Sequence, residues 1–271
     1  MAQWLNYLLA GWLMLNLTAC QGLTSSHLPA RPIVTDSGVI EARSAVRQLP
    51  TLPALPIAPA RIDCRATLSK DDELSRAVVE ERLRAGSSYA ALAQIQALPA
   101  DQADVAILRA DILRRLQRPE AASWYRALIG SCKAAQAEQG LGLLAAQAGD
   151  YLNAITRLQA AAKAAPADAR IRNDLGYLYL HVGQDSGAEF ELRTASELAS
   201  NDRTPQVNLL LLALLRGDSA AWQAGRQSLA PDARERTDLS RQCQHLMRLR
   251  SVYREGRAPP DVMKCPINPQ L

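Results

Sequence analysis

The sequence predicts an all-α fold, an α-solenoid of about five helix pairs followed by a capping helix. Three observations support this prediction. The hydrophobic residues make up 48% of the 271-residue chain and are mainly Ala and Leu, mixed with Gln, Arg and Glu, a composition that favours helices. From Lys70 onward, helical stretches alternate with short breaks, without the two-residue alternation of a strand. A stretch near the middle of the chain also repeats itself after 34 residues.

The first element, residues 1–19, is predicted to be an export signal. Its apolar run from Trp4 to Leu17 is shorter than the roughly 20 residues that span a bilayer. The run leads into Leu17-Thr18-Ala19-Cys20, which resembles the lipobox of bacterial lipoproteins. This resemblance implies cleavage before Cys20 and a lipid on the Cys20 sulfur. By the same resemblance, Gln21 in place of Asp favours a lipid-anchored protein at the periplasmic face of the outer membrane.

Residues 20–63 are predicted to form a tether between Cys20 and the folded part. Prolines 50, 53, 56 and 59 recur at the three-residue period of the polyproline II helix, which makes a semi-rigid spacer. The segment is interpreted as a linker, and the alternative is a ligand for a groove that binds polyproline II.

Residues 64–231 are predicted to be the helical array, and two adjacent repeats define it best. Small residues recur where two helices must cross closely, and glycines recur in the turns, where positive φ is favourable for glycine. The matching pairs are Leu141 and Leu175, Gly142 and Gly176, Gly149 and Gly183, Ala154 and Ala188, and Leu158 and Leu192. The 34-residue period and these positions resemble the tetratricopeptide repeat, which implies an α-solenoid that binds proteins.

Weaker copies flank these two repeats, as expected for terminal units. Helix pairs are predicted around Gly86, before and after Arg118, and around Gly217. In the last pair Leu210 replaces the glycine and Trp222 replaces the small residue. Residues 232–257 follow with an apolar stripe at helical spacing and are predicted to be a solvating capping helix, and residues 258–271 are predicted to be a C-terminal tail.

Four cysteines besides Cys20 suggest two disulfides in an oxidising compartment. Three pairings are possible. A bridge between Cys243 and Cys265 would fix the tail to the capping helix, and one between Cys64 and Cys132 would fix the end of the tether to the array. The alternative is four buried free thiols.

Several classes of function are disfavoured by the composition. The net charge of +4 and the small number of aromatic residues argue against a nucleic-acid binder. The three histidines, His27, His181 and His245, are too scattered for a local metal site. No sequence motif of a hydrolase, a phosphate-binding loop or a metalloprotease occurs. We therefore expect no catalytic residue, no metal, no cofactor and no small-molecule substrate.

The resemblance to tetratricopeptide repeats implies that the first helix of each pair lines a partner-binding groove. The positions carried over to this chain are Gln136, Gln139, Leu143, Arg170, Asn173, Tyr177, Leu180, Val207 and Leu211. Arg170, Asn173 and Tyr177 form one stripe, although Tyr177 is equally consistent with packing between helices. His181 is predicted to be an exposed or groove-facing polar residue. On the capping helix Arg234, Arg241 and Arg248 recur every seven residues, which indicates either a docking patch or a solvated face.

The lipobox, the tether and the repeats together resemble the lipoproteins of bacterial envelope machines, in particular the Flp/Tad pilus assembly lipoproteins of the TadD type. The type IV pilus pilotins of the PilF/PilW group share this plan. The resemblance implies a non-enzymatic adaptor that binds a secretin or a pilus component. The alternative is a general scaffold for peptidoglycan enzymes or other periplasmic enzymes.

Overall fold

The computed structural model describes residues 57–255 and Cys265, and this part of the chain is helical with no strand. Asp63 and Gln102 form a single isolated β-bridge. No helix among these residues has the length and apolarity needed to cross a membrane. The helices of the described part are α1 (Lys70–Arg84), α2 (Ser88–Ile95), α3 (Ala103–Arg115), α4 (Ala121–Leu128), α5 (Ala134–Gln147), α6 (Tyr151–Ala164), α7 (Ala169–Val182), α8 (Asp185–Leu198), α9 (Arg203–Arg216), α10 (Ser219–Leu229) and α11 (Ala233–Glu255).

The first ten helices form five consecutive pairs. The two helices of each pair pack against each other, and the second helix of one pair packs against the first helix of the next. The first helices also contact one another in series, from α1 through α3, α5 and α7 to α9. This arrangement confirms the prediction of an α-solenoid with about five helix pairs.

Aspartates precede several of these helices, and glycines lie in the turns between paired helices. Asp150, Asp168, Asp202 and Asp218 precede α6, α7, α9 and α10, and each carboxylate accepts a backbone N–H of the first helical turn. The turns within four of the pairs contain glycines with φ between +70° and +80°, at positions 86, 149, 183 and 217. The predicted turn role of Gly149 and Gly183 is confirmed.

Small residues allow the central pairs to approach closely. A Cβ added to Gly176 would lie 2.7 Å from Leu192 Cγ, and one added to Gly142 would lie 3.1 Å from the carbonyl oxygen of Ala154. Ala154 and Ala188 are completely buried. The predicted close crossings of α5 with α6 and of α7 with α8 are therefore confirmed.

The predicted capping helix is present as α11, and it covers the last two pairs rather than the last pair alone. It packs against α7 and α9, the first helices of the last two pairs. Its apolar stripe is buried at Leu239, Cys243 and Leu246. The Arg250 guanidinium donates from Nε to the Leu180 carbonyl oxygen over 2.6 Å and from Nη2 to Asp185 Oδ1 over 2.7 Å. These contacts place α11 beside the array rather than at its end.

Two disulfides join the flanking segments, one between the segment before α1 and the segment before α5, and the other between α11 and Cys265. The structure joins Cys64 to Cys132, with 6.0 Å between their Cα atoms, and Cys243 to Cys265, with 5.8 Å. Part of the segment assigned to the tether from the sequence packs on the array. Ala58 and Ile62 contact the core of α3–α5, and the Asp63 N–H donates to the Asp101 carbonyl oxygen over 2.8 Å.

Candidate functional site: an inner groove and its pocket

A groove of about 850 Å³ runs along the first helices α1, α3, α5 and α7 and reaches the start of α9. We call it the inner groove. Five of the nine positions predicted from the sequence line it, namely Gln136, Gln139, Leu143, Arg170 and Asn173. Tyr177 lines a smaller pocket next to it instead.

Hydrogen bonds between neighbouring units hold the groove amides in place. Gln139 Nε2 donates to Asp174 Oδ2 over 2.7 Å, and Asn208 Nδ2 donates to Asn173 Oδ1 over 2.8 Å. Burial raises the pKa of Asp174, although the hydrogen bond from Gln139 acts in the opposite direction. Because both bonds span 35 residues, they repeat one contact from α5 to α7 and from α7 to α9.

A second network, which the sequence analysis missed, anchors the middle of the groove. The buried Tyr125 of α4 donates from its hydroxyl to Asp111 Oδ1 over 2.6 Å and accepts from Arg114 Nε over 3.2 Å. Burial, and next the Asp111 carboxylate, raise the pKa of Tyr125 far above its usual value, so the hydroxyl stays a donor. Asp111 and Arg114 lie on α3 and Tyr125 lies on α4, so no local pattern in the sequence indicates the contact.

The charged side chains along the groove are largely paired with one another. Lys133 Nζ lies 2.6 Å from Asp104 Oδ1, and its hydrogen bond is the main reason that the pKa of Asp104 is lowered. Arg76 pairs with Glu80 in the same region. In contrast, the Arg170 side chain is 74% exposed, and its distance of 3.7 Å from Asp168 Oδ2 is longer than a hydrogen bond. The groove therefore offers hydrogen-bonding groups rather than a strong field of one sign.

The pocket beside the inner groove has a volume of about 230 Å³ and contains three adjoining rings. The His181 ring centroid lies 4.8 Å from that of Tyr151 and 5.0 Å from that of Tyr177. His181 is only 8% exposed, and burial, followed by the positive charges of His245 and Arg250, lowers its pKa to about 4. His181 is thus a neutral pocket residue near pH 7, not an exposed one.

The sequence predicted that the groove continues along the whole of α7 and α9, but it stops within α7 and at the start of α9. Leu180 and Leu211 were expected to line it, but both side chains are completely buried. The reason is that α11 packs on these two helices. The open part of the groove is therefore restricted to the first four pairs and the start of α9.

The three arginines of α11 assigned from the sequence to a docking patch or a solvated face differ from two other arginines of the helix. Arg234, Arg241 and Arg248 are exposed, and Arg241 pairs with Asp238. Arg250 is instead buried against α7, and Arg236 donates to the Pro231 carbonyl oxygen over 2.8 Å. Cys20 lies outside the described residues, within which no cluster of three or more His, Cys, Asp or Glu side chains suits a metal ion.

Comparison with known proteins places this geometry in a family. A model of the tetratricopeptide repeat matches residues 145–215. The TPR repeat-containing protein PA4299 of Pseudomonas aeruginosa is 41% identical over 182 residues, which are 67% of this chain and 74% of that protein. This chain belongs to the tetratricopeptide-repeat proteins.

Two solved structures resemble the tetratricopeptide-repeat array described above. PilF of Pseudomonas aeruginosa shares 16% identity, with a TM-score of 0.50 over 67% of this chain and 86% of PilF. MamA of Desulfovibrio magneticus RS-1 shares 19% identity, with a TM-score of 0.44 over 65% of this chain and 98% of MamA. The likeness to PilF shows a shared fold. A tetratricopeptide-repeat array of this kind is a scaffold for protein–protein interaction.

Proposed function

We propose that this protein is a non-enzymatic adaptor that binds a segment of an envelope protein in its inner groove and assists the assembly of a Flp/Tad pilus or a secretin. The observation that carries the proposal is the groove itself. It presents amide and guanidinium side chains from consecutive first helices, held at fixed positions by the bonds from Gln139 to Asp174 and from Asn208 to Asn173. Such groups suit the peptide groups of an extended partner.

The pilus assignment is supported by the combination of elements in the chain. A lipobox-like Leu17-Thr18-Ala19-Cys20, a proline-rich tether and a tetratricopeptide array resemble the plan of the TadD-type lipoproteins. The fold shared with PilF agrees with this plan. In this proposal the lipid on Cys20 holds the array at the periplasmic face of the outer membrane.

Removing two groove side chains should weaken partner binding without unfolding the protein. Arg170 is exposed, and Gln136 Oε1 makes no hydrogen bond within the described part of the chain, so neither side chain holds the fold together. For Arg170→Ala with Gln136→Ala we expect a loss of about 1 kcal/mol or more for each truncation at the interface. The measurement is quantitative co-purification of secretin and pilus assembly proteins with the tagged full-length chain, together with a circular dichroism melt.

The matched control is Arg126→Ala, which removes an exposed arginine from α4, outside the groove. It should leave both the recovered partners and the melting temperature unchanged. Undiminished recovery of partners with the folded double variant would show that the inner groove is not the binding surface.

The lipid anchor is tested by Cys20→Ser. Two or more acyl chains hold a protein stably on a bilayer, because each buried methylene contributes about 0.8 kcal/mol. We expect the variant to remain folded and to move from the membrane fraction to the soluble fraction, while only the wild type incorporates labelled palmitate. Fractionation and palmitate labelling measure this directly, and an unlabelled wild type would refute the anchor.

A further inference from the structure

The small pocket beside the inner groove, here called the ring pocket, has walls of a different character from the groove. Its volume is about 230 Å³, room for one large side chain. Apolar and aromatic residues from α5, α6 and α7 form most of its walls. These are Leu143, Ala146, Tyr151, Tyr177, Leu178 and His181.

The ring pocket opens from the inner groove and not from a separate surface. Arg114, Leu143 and Asp174 line both cavities. A peptide whose backbone lies along the inner groove can therefore insert a side chain into the ring pocket while the backbone stays in the groove. Beyond the pocket, the contact of Arg250 with the Leu180 carbonyl oxygen places α11 against the end of α7.

The chemistry of the ring pocket favours an uncharged aromatic side chain. The rings of Tyr151 and Tyr177 pack against His181, which is neutral near pH 7. The Tyr177 and His181 rings meet edge to face, at 74°. A further ring would extend the cluster through the offset and edge-to-face contacts that aromatic side chains prefer, worth about 0.5–1.5 kcal/mol beyond the buried area.

Charged side chains are less suited to the same space. Arg114 and Asp174 lie together at the boundary with the inner groove, so a lysine or arginine side chain would meet a charge of each sign there and none on the other walls. The Arg114 guanidinium already bonds to the Tyr125 hydroxyl, and the Asp174 carboxylate already accepts from Gln139. A guanidinium beside the cavity would in addition interact favourably with the face of a bound ring.

From these contacts we infer that the ring pocket is the anchor subsite of the groove and takes one aromatic side chain, Phe, Tyr or Trp, from an extended segment of a protein partner. The inference rests on the proposed adaptor function. Aromatic anchors in well-packed pockets typically dominate binding energy at protein interfaces. The partner is thus defined by its chemistry, as an extended segment in which groups that form hydrogen bonds flank one aromatic residue.

The test uses the purified full-length chain and small amides in place of the partner. N-acetyl-tryptophanamide, N-acetyl-leucinamide and N-acetyl-lysinamide are titrated at millimolar concentration while the imidazole resonances of His181 are followed by NMR. We expect saturable shifts with the tryptophan amide, at an affinity at least three times that of the leucine amide, and no response to the lysine amide.

Two substitutions fill part of the ring pocket without removing a packed side chain. Ala146→Leu fills the pocket from α5, and Gln147→Leu narrows it from an exposed position on its wall. Each should weaken binding of the tryptophan amide at least fivefold. The control Ala164→Leu, at an exposed alanine of α6 outside the pocket, should not change it. If Ala146→Leu does not fold, the titration of Gln147→Leu decides.

The inference is overturned if His181 does not respond to the tryptophan amide, if the leucine or lysine amide binds as well, or if both pocket variants bind like the wild type. Because no partner protein is present, these results are independent of the co-purification experiment. If the tryptophan amide does not bind in the ring pocket but partners are still recovered, only the anchor subsite is refuted. A pocket that binds the amide while no partner depends on the groove would refute only the adaptor function.

Discussion

Gly140→Ala is expected to lower the melting temperature by roughly 5–10 °C, although alanine favours a helix more than glycine does. A Cβ at this position would lie 2.5 Å from Tyr125 Cδ1 and closer still to Cε1 and Cζ. The ring cannot move aside at low cost, because its hydroxyl is bonded to Asp111 and Arg114. The overlap corresponds to a net loss of about 2–3 kcal/mol.

The matched control is Gly130→Ala. A Cβ there would meet no atom within 4 Å, so the change should stay within about 0.5 kcal/mol. Circular dichroism melts of both variants measure the difference. A Gly140→Ala melt that coincides with the wild type would mean that α4 and α5 are farther apart than described.

Arg250→Met is expected to release α11 from the array. Methionine keeps an apolar side chain of similar length, but the Leu180 carbonyl oxygen and Asp185 each lose a charged donor at 2.6 and 2.7 Å. Hydrogen bonds to charged groups contribute about 1.5–3 kcal/mol each, so the loss of two should weaken the docking of the helix by about 3 kcal/mol or more. Amide hydrogen exchange of α11 should accelerate at least tenfold.

Arg248→Met provides the control for this experiment, because Arg248 is exposed on the same helix two residues earlier. Its α11 should exchange like that of the wild type. Exchange is measured by mass spectrometry with the Cys243–Cys265 bridge intact and again after reduction, since the bridge limits how far the helix can separate. Equal protection of α11 in both variants would show that Arg250 does not hold it.

The sequence predicted the helices well because the spacing of apolar residues and the turn residues are local signals. Gly149 and Gly183 lie in their predicted turns, and Gly142 and Gly176 lie at their predicted crossings. The last pair shows the limit of this reasoning. Leu210 of α9 occupies the position of the repeat glycine, and the small residue at this crossing is Gly225 of α10. A Cβ added to Gly225 would lie 2.5 Å from Leu210 Cδ2. Such an exchange becomes visible only in three dimensions.

The candidate site was predicted only in part for the same reason. Gln136, Gln139, Arg170 and Asn173 were predicted from their positions in the repeat, and they line the groove. The apolar stripe of α11 predicted a helix but not the surface on which it packs. That choice depends on the pairing of Arg250 with Asp185, 65 residues apart, which no local pattern contains.

The Cys64–Cys132 bridge also determines how mechanical tension would travel through the protein. A pull on the chain before Cys64 passes across the sulfur–sulfur bond to Cys132, at the start of the third pair, and bypasses the 68-residue loop between them. Helices α1–α4 lie entirely within this loop. They would carry none of the applied force, so the part of the groove formed by the first two pairs would keep its shape under a load that would unfold an unbridged solenoid one helix at a time.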